Sequence, residues 1–124
     1  MAGAVSRQTD GGVRVRVFWS DLSNLSTLQA ALRAEQINAL VLKADPSCTQ
    51  RIPDGDPAIQ QAVPVDSPSA DGHLWSIYPS RIPAGDTVVI GLDGPLPTGE
   101  RSATLFLTPH PPTCLPPSLV SGPP

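Results

Sequence analysis

Acid–base or metal chemistry in this chain would have to be built from two histidines and eleven carboxylates. His73 stands beside Asp71-Gly72 at the head of an apolar run, and His110 lies between Pro109 and Pro111. Neither has a cysteine or carboxylate at zinc-ligand spacing, so both read as surface residues. Asp54-Gly55-Asp56 resembles a fragment of a calcium loop. An EF-hand also needs a glutamate at its twelfth position, and counting from Asp54 that place is Val65. A solvated turn is the better reading. Asp21, Asp86 and Asp93 border strands and turns, where capping and turn formation account for them. The serines form no Gly-x-Ser-x-Gly elbow. Gly91, Gly94 and Gly99 do not precede a helix, as a phosphate-binding loop requires. The residues imply no catalytic centre, no metal site and no cofactor.

The two cysteines are more informative. Cys48 follows Pro46-Ser47, and Cys114 sits within Pro112-Thr113-Cys114-Leu115-Pro116, both polar connections with no apolar run around them. Free cysteines usually hide in cores, and an exposed thiol is a liability. A Cys48–Cys114 disulfide suits an exported protein. Closing so long a loop contributes on the order of 4 kcal/mol in the chain-entropy model. Two unrelated thiols in a cytoplasmic protein are the alternative.

The elements that hold these residues follow from periodicity and proline. All sixteen prolines fall after residue 45, leaving the front third free to form regular hydrogen-bonded structure. Residues 1–9 read as a flexible lead-in, closed by the turn signal Asp10-Gly11-Gly12. Val13, Val15 and Val17 alternate with Arg14 and Arg16, which predicts a half-buried strand through Trp19 with both arginines on its outer face. Ser23 or Asn24 offers an N-cap for a helix reaching about Glu35. Leu25, Leu28, Ala31 and Leu32 form its apolar stripe, with Gln29, Arg33 and Gln36 mostly off it. No glycine ends that helix, so Gln36 must serve as the exit, with Asn38 a candidate for the left-handed position. A second strand over 37–44 completes a β-α-β unit, right-handed if its strands share a sheet.

Residues 45–72 carry five prolines and little periodicity. Only Ile59 to Val65 suggests a short strand, and Pro64 would confine it to an edge. Strands follow at His73–Tyr78, Thr87–Leu92 and Ser102–Thr108, with a long hairpin loop over 93–100. The near-continuous apolar run at 87–92 places that strand centrally. The fold class is therefore α+β. It is expected as two layers, one mixed sheet of about five strands with one helix on a face, in the order β-α-β-β-β-β. One domain spans 10–116, and 117–124 reads as a proline-rich disordered tail.

The net charge of −3, with eight basic residues, disfavours nucleic acid as a partner. No run approaches the ~18 apolar residues of a membrane span. Contact with a membrane would need a segment outside this sequence. Arg14 and Arg16, with Lys43 nearby, form a small cationic patch or simply a solvated face. Trp75 and Tyr78 fall on opposite faces of their strand, and whichever points outward is the most plausible binding anchor. The tail motif Pro109-His110-Pro111-Pro112 fits a polyproline ligand or a spacer.

One set of residues resembles a family: Asp10-Gly11-Gly12-Val13-Arg14-Val15, Asp21-Leu22, Leu28 with Leu32-Arg33-Ala34, Cys48, Ile77-Tyr78-Pro79 and Ile82-Pro83-Ala84-Gly85. Together they resemble the uncharacterised short extracytoplasmic domains of actinobacterial membrane-anchored or secreted proteins. The resemblance covers about residues 4–115. It implies export and a disulfide-compatible setting, and it carries no activity or site residues. Two departures are the missing membrane segment and Gln36 where the helix-ending glycine is usual. The sequence is thus expected to encode a non-enzymatic extracytoplasmic domain that binds or senses a protein or envelope component. A small hydrolase or enzyme accessory domain using carboxylates near 45–72 is the alternative, and a structural spacer is the third. The candidate surface comprises Trp75, Tyr78, Arg14 and Arg16.

Overall fold

A computed structural model describes residues 3–19, 25–50, 55–69, 71–93 and 101–116. The candidate N-cap at Ser23 or Asn24, most of the 93–100 loop and the 117–124 tail lie outside the described residues.

Seven strands, two α-helices and a 3-10 turn at Pro79–Arg81 are described: β1 (Gly3–Arg7), β2 (Val13–Phe18), α1 (Leu25–Ala34), β3 (Ala39–Lys43), α2 (Ile59–Ala62), β4 (Val65–Ser69), β5 (Gly72–Ile77), β6 (Thr87–Asp93) and β7 (Ser102–Thr108). The α+β class holds. In place of one mixed sheet there are two, an antiparallel β1-β2-β5-β4 sheet and a β3-β6-β7 sheet with β3 parallel to β6. The reason is geometric. Ten helical residues make a rod about 15 Å long and about 10 Å across, whereas strands lie about 4.8 Å apart. One such helix covers about two strands, so most of the apolar sheet surface must be buried by a second sheet. The strands flanking α1 lie in different sheets, and the crossover-handedness rule does not apply to them.

The core follows the alternation of β2. Val13, Val15 and Val17 are fully buried while Arg14 and Arg16 are exposed. Their register partners on β5 are Ile77, Trp75 and His73, which share the inner face. The three valines, Trp75 and Ile77 join Val88, Ile90 and Leu92 of β6, and Leu105 and Leu107 of β7, in one cluster. β6 is central in its sheet and buried along its whole length, as its continuous apolar run requires.

The helix closes one side of this sandwich, packing on β1 and β3 through buried Leu28 and Leu32. Two of its polar residues serve the sheet. Gln29 Oε1 accepts the Val41 N–H at 2.9 Å, and Arg33 Nε donates to the Ala39 carbonyl at 3.1 Å. They occupy backbone groups on the outer edge of β3 that would otherwise stand open to another strand. Arg7 of β1 donates to Glu35 Oε2 at 2.8 Å and to its carbonyl at 3.0 Å, tying the helix end to the other sheet. Residues 1–9, expected as a flexible lead-in, contain β1, which pairs with β2 along its five residues.

The helix ends as a Schellman motif. Ile37 N–H bonds the Leu32 carbonyl at 3.2 Å and Gln36 N–H bonds that of Arg33 at 3.1 Å. Gln36 itself takes the left-handed conformation, with φ 65°; Asn38 was the wrong candidate. Replacing Gln36 by Gly removes a left-handed penalty of about 1 kcal/mol. Chemical denaturation of Q36G should show a higher midpoint, and an unchanged or lower one contradicts this reading.

The 45–72 connection is more ordered than its composition suggests. Ile59–Ala62 forms one helical turn and the edge strand begins only at Val65. Pro64 precedes β4 and Pro68 lies within it, tolerated because β4 pairs on one side only. On the outer face of the β3-β6-β7 sheet, Val89 and Leu115 are both fully buried, with Leu42, Ala44 and Phe106 packed against them. The Cys48–Cys114 disulfide, with Cα atoms 5.9 Å apart and a sequence separation of 66, holds the segment that carries Leu115. Asp45 N–H bonds the Leu115 carbonyl at 2.8 Å, and Gln50 Oε1 accepts the Thr113 N–H at 2.8 Å. Reduction is expected to lower the unfolding free energy by about 2–4 kcal/mol, read from denaturant midpoints with and without reductant. Equal midpoints would remove the stapling role.

Candidate functional site: the outer face of the four-stranded sheet

The four candidate surface residues are not brought together as one site. Trp75 is 1% exposed on the inner face opposite Val15, so it belongs to the core and cannot anchor a partner. His73 stacks on it with ring centroids 4.3 Å apart and 21° between planes. Tyr78 follows the end of β5 and is half-buried. Its hydroxyl donates to Asp10 Oδ2 at 2.8 Å, and the Arg81 guanidinium lies 4.4 Å from its ring centroid. Asp10 is held below the ordinary carboxylate range by the Gly12 N–H first and the Tyr78 hydroxyl second. That same hydrogen bond raises the Tyr78 phenol. Tyr78 is therefore committed to fixing the β1–β2 turn against the end of β5.

Arg14 and Arg16 do lie on the exposed face, where the strand alternation placed them. Across that face the register aligns Arg16, Leu74 and Ser67 in one row and Phe18, Gly72 and Ser69 in the next. These two rows, with Asp71 at one end, line a cleft of about 230 Å³. Gly72 is required there, because a Cβ would meet the Val17 carbonyl oxygen at 1.8 Å. Phe18 and Leu74 are half-buried, while Arg16, Ser67, Ser69 and Asp71 are exposed. Ser69 Oγ donates to the Gly72 carbonyl at 3.3 Å.

His73 was expected at the surface and is 8% exposed. It occupies the inner-face position that Trp75 and Ile77 continue, paired with Val17, and its Nε2 bonds Asp66 Oδ1. His110 is exposed, with its backbone N–H on Thr108 Oγ1 at 3.1 Å.

Two carboxyl groups meet where turns alone were expected. Asp56 Oδ1 accepts the Ala58 N–H at 2.9 Å at the entry to α2, and the Asp56 N–H bonds the Leu107 carbonyl on the outer edge of β7. Asp86 is 7% exposed, with Oδ2 buried and unpaired. The two share a hydrogen bond that raises Asp86, with burial adding to it. Asp56 is lowered, by the Ala58 N–H first and Asp86 second. One proton held on Asp86 and donated to Asp56 explains both directions. Nothing in the sequence marks residues so far apart as partners. Neither lines the cleft.

These directions fix a pH response. The Asp86 contribution is full below its unfolded value and is lost as pH rises through its raised folded value. That of Asp56 is present above its unfolded value and is lost as pH falls through its lowered one. The pair thus stabilises most in acid, around the ordinary carboxylate value of 3.8. Asp86→Asn keeps a donor toward Asp56 without a titrating proton. Its melting temperature should exceed the wild type's at pH 7–8 and lose that advantage near pH 4. A constant difference across that range would refute the shared proton.

Fold and cleft together define a disulfide-linked α+β protein with one outer sheet face covered and, among the described residues, the other open. Comparisons of the chain with protein-family models, with curated proteins and with solved structures find no match.

Proposed function

We propose that the chain is a non-enzymatic, extracytoplasmic binding domain whose working surface is the open face of the β1-β2-β5-β4 sheet. The carrying observation is the contrast between the two outer faces. One is closed by the segment that the Cys48–Cys114 disulfide holds in place. The other leaves Arg14 and Arg16 exposed beside the cleft. A disulfide persists in oxidising compartments, which supports the secreted or membrane-anchored location and the envelope as the source of partners. The hydrolase reading has less support: the Asp56–Asp86 pair lies outside the cleft, and Asp71 lines it with no second carboxylate beside it among the lining residues. The resemblance to actinobacterial extracytoplasmic domains remains part of the proposal and rests on its motif residues alone.

Cell fractionation of the full-length gene product, with thiol labelling before and after reduction, tests the location. The product should leave the cytoplasm and label only once reduced; a cytoplasmic product with two reactive thiols contradicts the proposal. In a retention assay on envelope fragments, Arg14→Glu with Arg16→Glu should lower retention at least tenfold without shifting the melting temperature. Unchanged retention would exclude this face.

A further inference from the structure

We propose, resting on the binding reading above, that the cleft across β2, β5 and β4 takes one acidic sugar ring, a hexuronic acid either free or at the end of a glycan. Arg16 supplies the cation. Among the described residues Arg7 is committed to Glu35, Arg33 to the Ala39 carbonyl, and Arg81 to the Gln61 carbonyl and the Tyr78 ring. Arg16 has no such partner among them, and its guanidinium offers the planar pair of donors that a carboxylate matches.

The other walls select what accompanies that carboxylate. Ser67 and Ser69 stand two residues apart on the same face of β4; the Ser67 hydroxyl can donate or accept, while Ser69, whose proton goes to the Gly72 carbonyl, offers its oxygen as an acceptor. Asp71 accepts only, so at the rim it suits hydroxyl protons of a ligand and opposes a second negative charge. Between these groups Phe18 and Leu74 form an apolar floor for the C–H face of a ring. The volume of about 230 Å³ falls below the ~300–1,000 Å³ of common small-molecule pockets, which fits a single ring. A sugar acid carries one carboxylate, several hydroxyls and an apolar ring face together. Inorganic phosphate lacks the ring and brings more charge beside Asp71. A nucleic acid would need a basic array that a chain of net charge −3 does not offer.

The test is amide-resolved NMR titration of the full disulfide-bonded chain with D-glucuronate, D-glucose, acetate, inorganic phosphate and a short oligosaccharide ending in glucuronate. Glucuronate should move the Arg16, Phe18, Ser67, Ser69 and Gly72 amides saturably, with glucose and acetate at least tenfold weaker. Arg16→Gln should weaken glucuronate at least tenfold while leaving the remaining spectrum in place, and Arg16→Lys should fall between. Tighter binding of the oligosaccharide than of the monomer identifies the glycan end as the source, and the reverse identifies the free acid. Phosphate binding as well as glucuronate, or an Arg16→Gln protein that keeps its affinity, overturns the proposal. Glucose saturating these amides while glucuronate does not overturns the ligand class but leaves the binding face standing. No response to any probe at these amides, with responses elsewhere on the chain, overturns both.

Discussion

The inner faces of two sheets meet through Val13, Val15, Val17, Trp75 and Ile77 on one side and Val88, Ile90, Leu92, Leu105 and Leu107 on the other. Each such side chain, fully buried, contributes about 1.5–3 kcal/mol relative to exposure, and with 4% aromatic content no few large anchors could replace them. Everything else accommodates this packing. The helix, displaced from the sheet faces, closes the side between β1 and β3 and uses Gln29 and Arg33 to occupy the β3 edge. The 55–64 segment brings buried Ala62 and Val63 into the same core.

Much of this was legible because it is local. Period-two alternation set the faces of β2, the apolar run at 87–92 marked the central strand, and the polar, proline-flanked settings of Cys48 and Cys114 pointed to their bond. What stayed hidden depends on pairing between distant residues. β1 has only the short stretch Gly3–Arg7 and gains its structure from β2. His73 and Trp75 are buried because register sets them opposite Val17 and Val15. The division into two sheets rests on β3 joining β6 and not β2, which no local pattern records.

The candidate site was half legible for the same reason. Arg14 and Arg16 follow from the β2 alternation alone. The cleft needs β4, a five-residue edge strand containing a proline, set beside β5. The Asp56–Asp86 pair likewise arises only when the turn before β6 meets the entry to α2. Its cost is a buried, unpaired oxygen on Asp86, the kind of local inconsistency that usually marks strain or function.

The central claim is a division of labour: the two-sheet core supplies the fold, and the disulfide only fastens the cover over one outer face, leaving the other open. Native-state hydrogen exchange on oxidised and reduced protein tests it most directly. After reduction, protection should collapse in residues 45–50 and 110–116, while β2, β5 and β6 remain the most protected amides in the chain. Loss of protection in β2 and β5 to the same level as the cover segment would contradict the account.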